Sequence, residues 1–441
     1  MEQRRKNLTQ LFIPICLETL LYMLSGMVDT LMLSSVNDQA VGAVGTANTY
    51  IGIFIIMFSV ISSGMVAVMT QNIGAGRPGV AYQARQLGLA FNAVLGIILS
   101  LILAFGAGTI LAGVGVADAL MQPARTYLQI VGGFCILNAL IPICSSYLRA
   151  FGFSKEPLYA SIIGNVINFC LNAFFLFVLH KGVAGVATAT VVSRIINLVI
   201  VVLLGAVLVK AKQHPERESN REVMGQIIRI GFPSACETAI YNVSMTLVIR
   251  FLNQMDAQGL NVTARSYTMQ ITNFSYCVGA ALAQANAIMT GWHIGAKEYD
   301  ACDRGTKKAA VIGVIVAVIL ETVFTLCSGW IMQLFSKDPQ MVSLVGKLLA
   351  IDIVLEIGRV TNLVYGQALK TSGDAVFPVV MGACFMILCS VGGTYLFGIR
   401  LGLLAVGAYI GMAGDECVRA IGMYLRWKSG KWKEKGLVKS R

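Results

Sequence analysis

Charge is what this sequence has least of: Asp, Glu, Lys and Arg make up 13% of its 441 residues, while 56% are hydrophobic. So few charges cannot clothe a water-soluble chain of this size, and an ordinary soluble globular protein is excluded. Histidine is nearly missing. The three copies, His180, His214 and His293, lack ligand spacing, and the 11 cysteines stand singly with no CxxC pair. Neither a zinc site nor a disulfide framework is indicated. No phosphate-binding loop of the GxxxxGK[ST] type occurs, which removes an ATP-driven pump encoded in this chain. Loops are short throughout, so no soluble catalytic domain is hidden between the apolar segments. The lack of a clustered His/Asp motif at a membrane face speaks against a membrane enzyme. No small-residue cleavage site follows the first apolar run, which reads as a retained helix rather than a signal peptide.

What is present is a series of apolar runs, twelve of them, each long enough to cross about 30 Å of hydrocarbon as a helix. They fall near 10–35, 44–72, 87–113, 126–149, 157–179, 183–209, 226–252, 265–291, 306–332, 344–369, 376–397 and 402–426. Their apolarity is continuous rather than alternating, which argues for helices and against an outer-membrane barrel. The expectation is an all-α integral membrane protein. Of the 34 Lys and Arg, 24 fall on the side shared by the two termini, 7 on the opposite side and 3 inside spans, at Arg194, Arg359 and Arg419. The positive-inside rule then places both termini in the cytoplasm of a multi-pass protein of the cell inner (plasma) membrane. The basic tail, residues 426–441, reads as a topology and lipid-headgroup signal; the partner is the bilayer, with no nucleic acid.

The chain also repeats itself. Pro14, Glu18, Thr19, Tyr22 and Ser25 return as Pro233, Glu237, Thr238, Tyr241 and Ser244 at a shift of 219, and Leu148, Gly152 and Pro157 return as Leu369, Gly373 and Pro378 at a shift of 221. The most hydrophilic stretch, KAKQHPERESNRE at 210–222, separates the copies. We therefore divide the chain into an N-lobe at 1–209, a cytoplasmic linker at 210–222 and a C-lobe at 223–441. Each lobe holds an even number of spans, so both enter the membrane with the same orientation. A pseudo-two-fold axis along the membrane normal should relate the two six-helix lobes, which is a transporter arrangement.

Within this frame a few polar residues call for an explanation. Pro14, Glu18, Tyr22, Ser25 and Asp29 lie on one face of one helix. An ionisable group inside a membrane costs about 2.5–3.5 kcal/mol at the bilayer centre, so Asp29 is read either as a retained functional group or as a carboxylate near the helix end. Asn165, Asn168 and Asn172 share one face at i, i+3 and i+7, suited to oxygen ligation or to interhelical hydrogen bonds. Glu18 and Glu237 each follow a proline by four residues, and either trade a proton for a cation or cap backbone groups that the proline frees. Asp352, Glu356 and Arg359 lie on one face at i, i+4 and i+7, with Asp415, Glu416 and Arg419 as partners, forming an ion-pair network or a coupling site. Tyr22 and Tyr241 share the glutamate faces, and Glu18, Tyr22 and Tyr241 are candidates for the wall of a cavity that takes flat cations.

The residues now assembled resemble the multidrug and toxic compound extrusion (MATE) family, in a bacterial branch. The likeness rests on the first-span proline and Val28-Asp29-Thr30, on Gln71 with Gly74-Ala-Gly76, on Asn168-Phe-Cys-Leu-Asn172 and on the run from Gly182 to Thr190. Leu355-Glu-Ile-Gly-Arg359, Gly373-Asp374, Phe377-Pro378 and Asp415-Glu416 extend it through the second half. The resemblance implies a secondary active exporter that antiports amphipathic, often cationic, drug-like small molecules against protons or sodium by alternating access. A flippase or a specific metabolite exporter of the same superfamily is the alternative. The resemblance makes Asp29 the N-lobe proton or cation carboxylate, with sodium as the metal, and adds Asn168, Asn172 and Thr190 to its cluster. Asn172 stands where the best understood N-lobe type has an aspartate, and Arg359 stands where the sodium-coupled branch has its second acid. That branch also uses a seventh-span glutamate, which points to Glu237. No cofactor beyond the coupling ion is implied, and the chain is expected to act as a monomer.

Overall fold

The computed structural model describes residues 6–35, 38–113, 116–210, 214–256, 258–333 and 335–438. Positions 211–213 of the expected linker and 439–441 of the basic tail lie outside the described residues. Every regular element among the described residues is helical.

Two compact units divide the chain, residues 1–231 and 232–441. The first contains α1 (Leu8–Ser34), α2 (Asp38–Gly74), α3 (Pro78–Gly113), the two arms of α4 (Asp118–Gly132 and Ile136–Ala150, bent by 43°), α5 (Lys155–Val178) and α6 (Gly182–Leu208). It also takes in the first turns of α7 (Asn220–Met255). The second contains the rest of α7, then α8 (Leu260–Gly295), α9 (Tyr299–Leu326), α10 (Pro339–Ser372), α11 (Val376–Arg400) and α12 (Leu404–Lys428). Among the described residues these make twelve long helices, as the apolar runs foretell. Seven of them, or eight with the bent α4, are long and apolar enough to cross a membrane. The other four, α7, α8, α10 and α12, are more polar, and α10 and α12 are where the charged network described below resides.

Ordinary local chemistry sets the helix ends. Asp338 caps α10, accepting from the Gln340 amide at 3.0 Å, and Pro339 occupies the first helical position, where its missing N–H costs nothing. The same helix ends at Gly373, whose φ of +101° permits the Asp374 amide to reach back to the Leu369 carbonyl at 3.0 Å. The ending repeats 221 residues earlier, where Gly152 has φ +86° and the Phe153 amide reaches Leu148 O at 2.9 Å. Pro14 and Pro233 lie inside α1 and α7, each removing one amide donor without ending its helix. π-Helical turns interrupt α4, α5 and α11, a local irregularity that sequence periodicity does not announce.

In unit 1, α2 packs on α3, α5 on α6 and α1 on α5. The core is filled by Phe58, Leu103, Leu111, Tyr127 and Leu128, together with the buried Ala43 and Ala47. Part of the hydrophilic stretch at 210–222 is fastened to the start of α3. Arg77 Nη2 lies 2.6 Å from Glu218 Oε1, and the Gln83 amide both donates to Glu218 O at 2.7 Å and accepts from Glu218 N at 3.0 Å. In unit 2, α10 is central, packed against α8, α9 and α12 around Val248, Leu252, Leu348, Leu355 and Tyr409. Large apolar side chains also face outward, Phe105 being 84% exposed, which suits a hydrocarbon surrounding.

Candidate functional site

Three helices build the cluster in unit 1. Asp29 comes from α1, Asn168 and Asn172 from α5, and Thr190 and Arg194 from α6. Asn172 Nδ2 donates to Asp29 Oδ1 at 2.7 Å and, at 3.2 Å, to Asn168 Oδ1 one turn away. The charge of Arg194 also acts on Asp29. Asn172 Oδ1 is buried and, among the described residues, has no hydrogen-bond partner, leaving an oxygen acceptor in the amide that holds Asp29. Thr190 is buried, and its hydroxyl donates to Val186 O of its own helix at 2.9 Å. The structure thus joins Asp29, Asn168 and Asn172 by hydrogen bonds, while the Thr190 hydroxyl bonds within α6. A carboxylate held by a neutral amide, with a spare oxygen beside it, can take up a proton or a hard cation.

Glu18, on the same helix as Asp29, has a different partner. Its Oε2 lies 2.5 Å from Arg149 Nη2 at the end of α4, and the Ser161 hydroxyl donates to its Oε1 at 3.5 Å. The equivalent residue in unit 2, Glu237, lies 2.6 Å from Lys370 Nζ near the end of α10. Both glutamates thus meet a cationic side chain. Tyr22 is 68% exposed and Tyr241 36% exposed, so neither is locked into the packed core of its unit.

Unit 2 carries the charged network. Arg419 bonds Asp415 through two nitrogens, each at 2.9 Å, and Glu416 at 2.8 Å; Ser390 donates to Asp415 at 2.9 Å and Asn362 to Glu416 at 3.0 Å. Arg359 pairs with Glu356 Oε1 on its own helix and lies 3.8 Å from Glu416. These pairs offset the cost of burying charge, and this half of the network is well satisfied. The other half is not: Glu321 of α9, a residue the sequence reading passed over, is fully buried beside Asp352 and Glu356. The rule that singles out Asp29, an ionisable group inside an apolar run, applies equally to Glu321 in VIGVIVAVILETVFTL.

The MatE family model matches residues 14–174 and 233–396. The uncharacterized transporter YisQ of Bacillus subtilis is 34% identical over 431 residues, covering 96% of this chain and 94% of that protein. The probable multidrug resistance protein NorM of Thermotoga maritima is 23% identical over 454 residues, covering 98% and 94%. Among solved structures, an outward-facing multidrug resistance MATE transporter superposes with a TM-score of 0.86 at 18% identity, covering 98% of this chain and 96% of its own. A MATE protein in the bent conformation gives 0.88 at 18% identity, covering 97% and 96%.

Proposed function

The chain belongs to the MATE (MatE) family of multi-pass membrane transporters, and from that premise we propose that it is a secondary active multidrug exporter driven by protons or sodium. It works by alternating access, expelling amphipathic, often cationic, small molecules. It sits as a monomer in the plasma membrane with both termini in the cytoplasm, and needs no cofactor beyond the coupling ion.

The observation that carries this reading is the contact between Asn172 and Asp29, 2.7 Å between Nδ2 and Oδ1, beside the unpartnered Asn172 oxygen. Asp29 would hold the proton at its carboxyl, or Asp29 and the Asn172 oxygen would together hold sodium. Asn168 positions the Asn172 amide through its 3.2 Å bond. Release and uptake of the ion change the charge that α1 presents to α5 and α6, and so bias the helix arrangement on which substrate access depends. Efflux of a fluorescent cation from everted membrane vesicles tests the reading. Asp29→Asn abolishes gradient-driven efflux if it holds, whereas full efflux by that variant overturns it.

A further inference from the structure

We propose that Glu321, Asp352 and Glu356 form a binding site in unit 2 for a hard metal cation, separate from the coupling role assigned to Asp29. One candidate oxygen from each of the three side chains lies within 4.8 Å of the others. Ligands on opposite sides of a calcium-sized ion stand about 4.6–5.2 Å apart, so the group has the span of one such ion. Burial is nearly complete, with Glu321 and Glu356 at 0% and Asp352 at 2% exposure.

The argument turns on what the carboxylates lack. Among the described residues, neither buried oxygen of Glu321 has a hydrogen-bond partner that meets ordinary geometry, and the same holds for Asp352 Oδ2 and Glu356 Oε2. Arg359 takes the other oxygen of Glu356. Arg419 is engaged by Asp415 and Glu416. Three carboxylates thus face one guanidinium that is already shared with Glu416, so all three can be ionised together only with a further cation beside them. Buried charges are retained when they are paired or coordinate a metal, and an all-oxygen donor set selects a hard cation over a soft one. α9 contributes one ligand and α10 two, so an ion here would cross-link the helix at the centre of the unit to its neighbour.

The test is binding of radioactive calcium and, in a separate arm, radioactive sodium to the purified full-length protein in detergent. It is made in the Asp29→Asn background, so that an ion at the unit 1 cluster does not contribute. The site predicts saturable binding of one ion per chain in one arm or both, weakened on the order of tenfold or more by Glu321→Gln, since even outer-shell changes cost that much. Glu321→Asp, which keeps the carboxylate, retains binding. Where Glu321→Gln is not monodisperse, Asp352→Asn carries the same test. No saturable binding of either ion by the folded protein, or equal binding by the Gln variant, overturns the proposal. Transport by Asp29→Asn bears only on the coupling role, so the two claims fail separately.

Discussion

Glu237 Oε2 lies 2.6 Å from Lys370 Nζ, tying α7 to the end of α10 across 133 residues of sequence. Unit 1 makes the same tie with Glu18 and Arg149 at 2.5 Å, and the spacing of the two pairs follows the internal repeat. The first helix of each half is thus clamped to the end of its fourth. Because the side chains are largely buried, removing one partner leaves a charge that water cannot solvate. Lys370→Gln and Glu237→Gln should each destabilise the protein, and the double variant should recover part of the loss, with a coupling energy of about 1–3 kcal/mol. Thermal unfolding of the four proteins in detergent measures that cycle; strict additivity would mean that the clamp carries no stability.

Close helix contact sets a second expectation. A Cβ placed at Gly411 of α12 would stand 2.9 Å from Cys389 O and from Gly393 C of α11, and one at Gly407 would stand 2.4 Å from Phe397 C. Small residues four apart let two helices approach backbone to backbone. Gly411→Val should therefore cost about 1–3 kcal/mol, the usual price of overpacking. Gly414→Val, at a position with no atom within 4 Å, should be tolerated. Comparing the two melting temperatures checks this.

Much of this is legible in the sequence. Twelve apolar runs give twelve long helices, and Asp29 with Asn168 and Asn172 converge because helical spacing put the amides on one face. Partners separated by long stretches were not legible. The 131 residues between Glu18 and Arg149 hide their pairing, although Arg149 directly follows Leu148, which the repeat had already matched to Leu369. The proline spacing suggests either proton exchange or backbone capping for the two glutamates, and it gives no hint of the cationic side chains that both meet. Glu321 went unread because its apolar neighbours suggested only a span. Packing, not periodicity, decides that it sits beside Asp352.

The loop before α8 supplies a pH-dependent prediction. Asp256 accepts from the amides of Leu260 at 2.8 Å and Asn261 at 3.0 Å, and from Asn261 Nδ2 at 2.5 Å. Burial by itself would push its carboxyl up, but the hydrogen bonds from Asn261, Leu260 and Gly259 together outweigh that and hold it below the ordinary range. A depressed folded value stabilises the fold above the unfolded pKa, about 3.9 for Asp, and the benefit is lost as pH falls through the folded value. Wild type should exceed Asp256→Ala by about 1 kcal/mol at neutral pH, as helix caps do. The gap should narrow below about pH 4. Denaturation at stepped pH checks it, and a gap that persists unchanged in acid would contradict the assignment.

Asn172 is expected to matter through its donor. Asn172→Leu removes the 2.7 Å bond to Asp29, and a hydrogen bond to a charged group contributes about 1.5–3 kcal/mol. Drug efflux should fall by roughly 10- to 100-fold at limiting ion gradient, while the amount of folded protein in the membrane changes little. Concentration dependence of efflux on the driving ion checks this, since loss of a merely structural contact would lower the amount of protein instead.

The most direct test of the central claim is ion movement itself. In proteoliposomes holding the purified chain, an outward drug gradient should drive sodium or protons the opposite way, each followed with its own indicator and with the other gradient clamped. The account predicts counterflow of one of these ions in wild type and its disappearance in Asp29→Asn. Counterflow of undiminished size in that variant, or drug movement in wild type with neither ion moving, would contradict it.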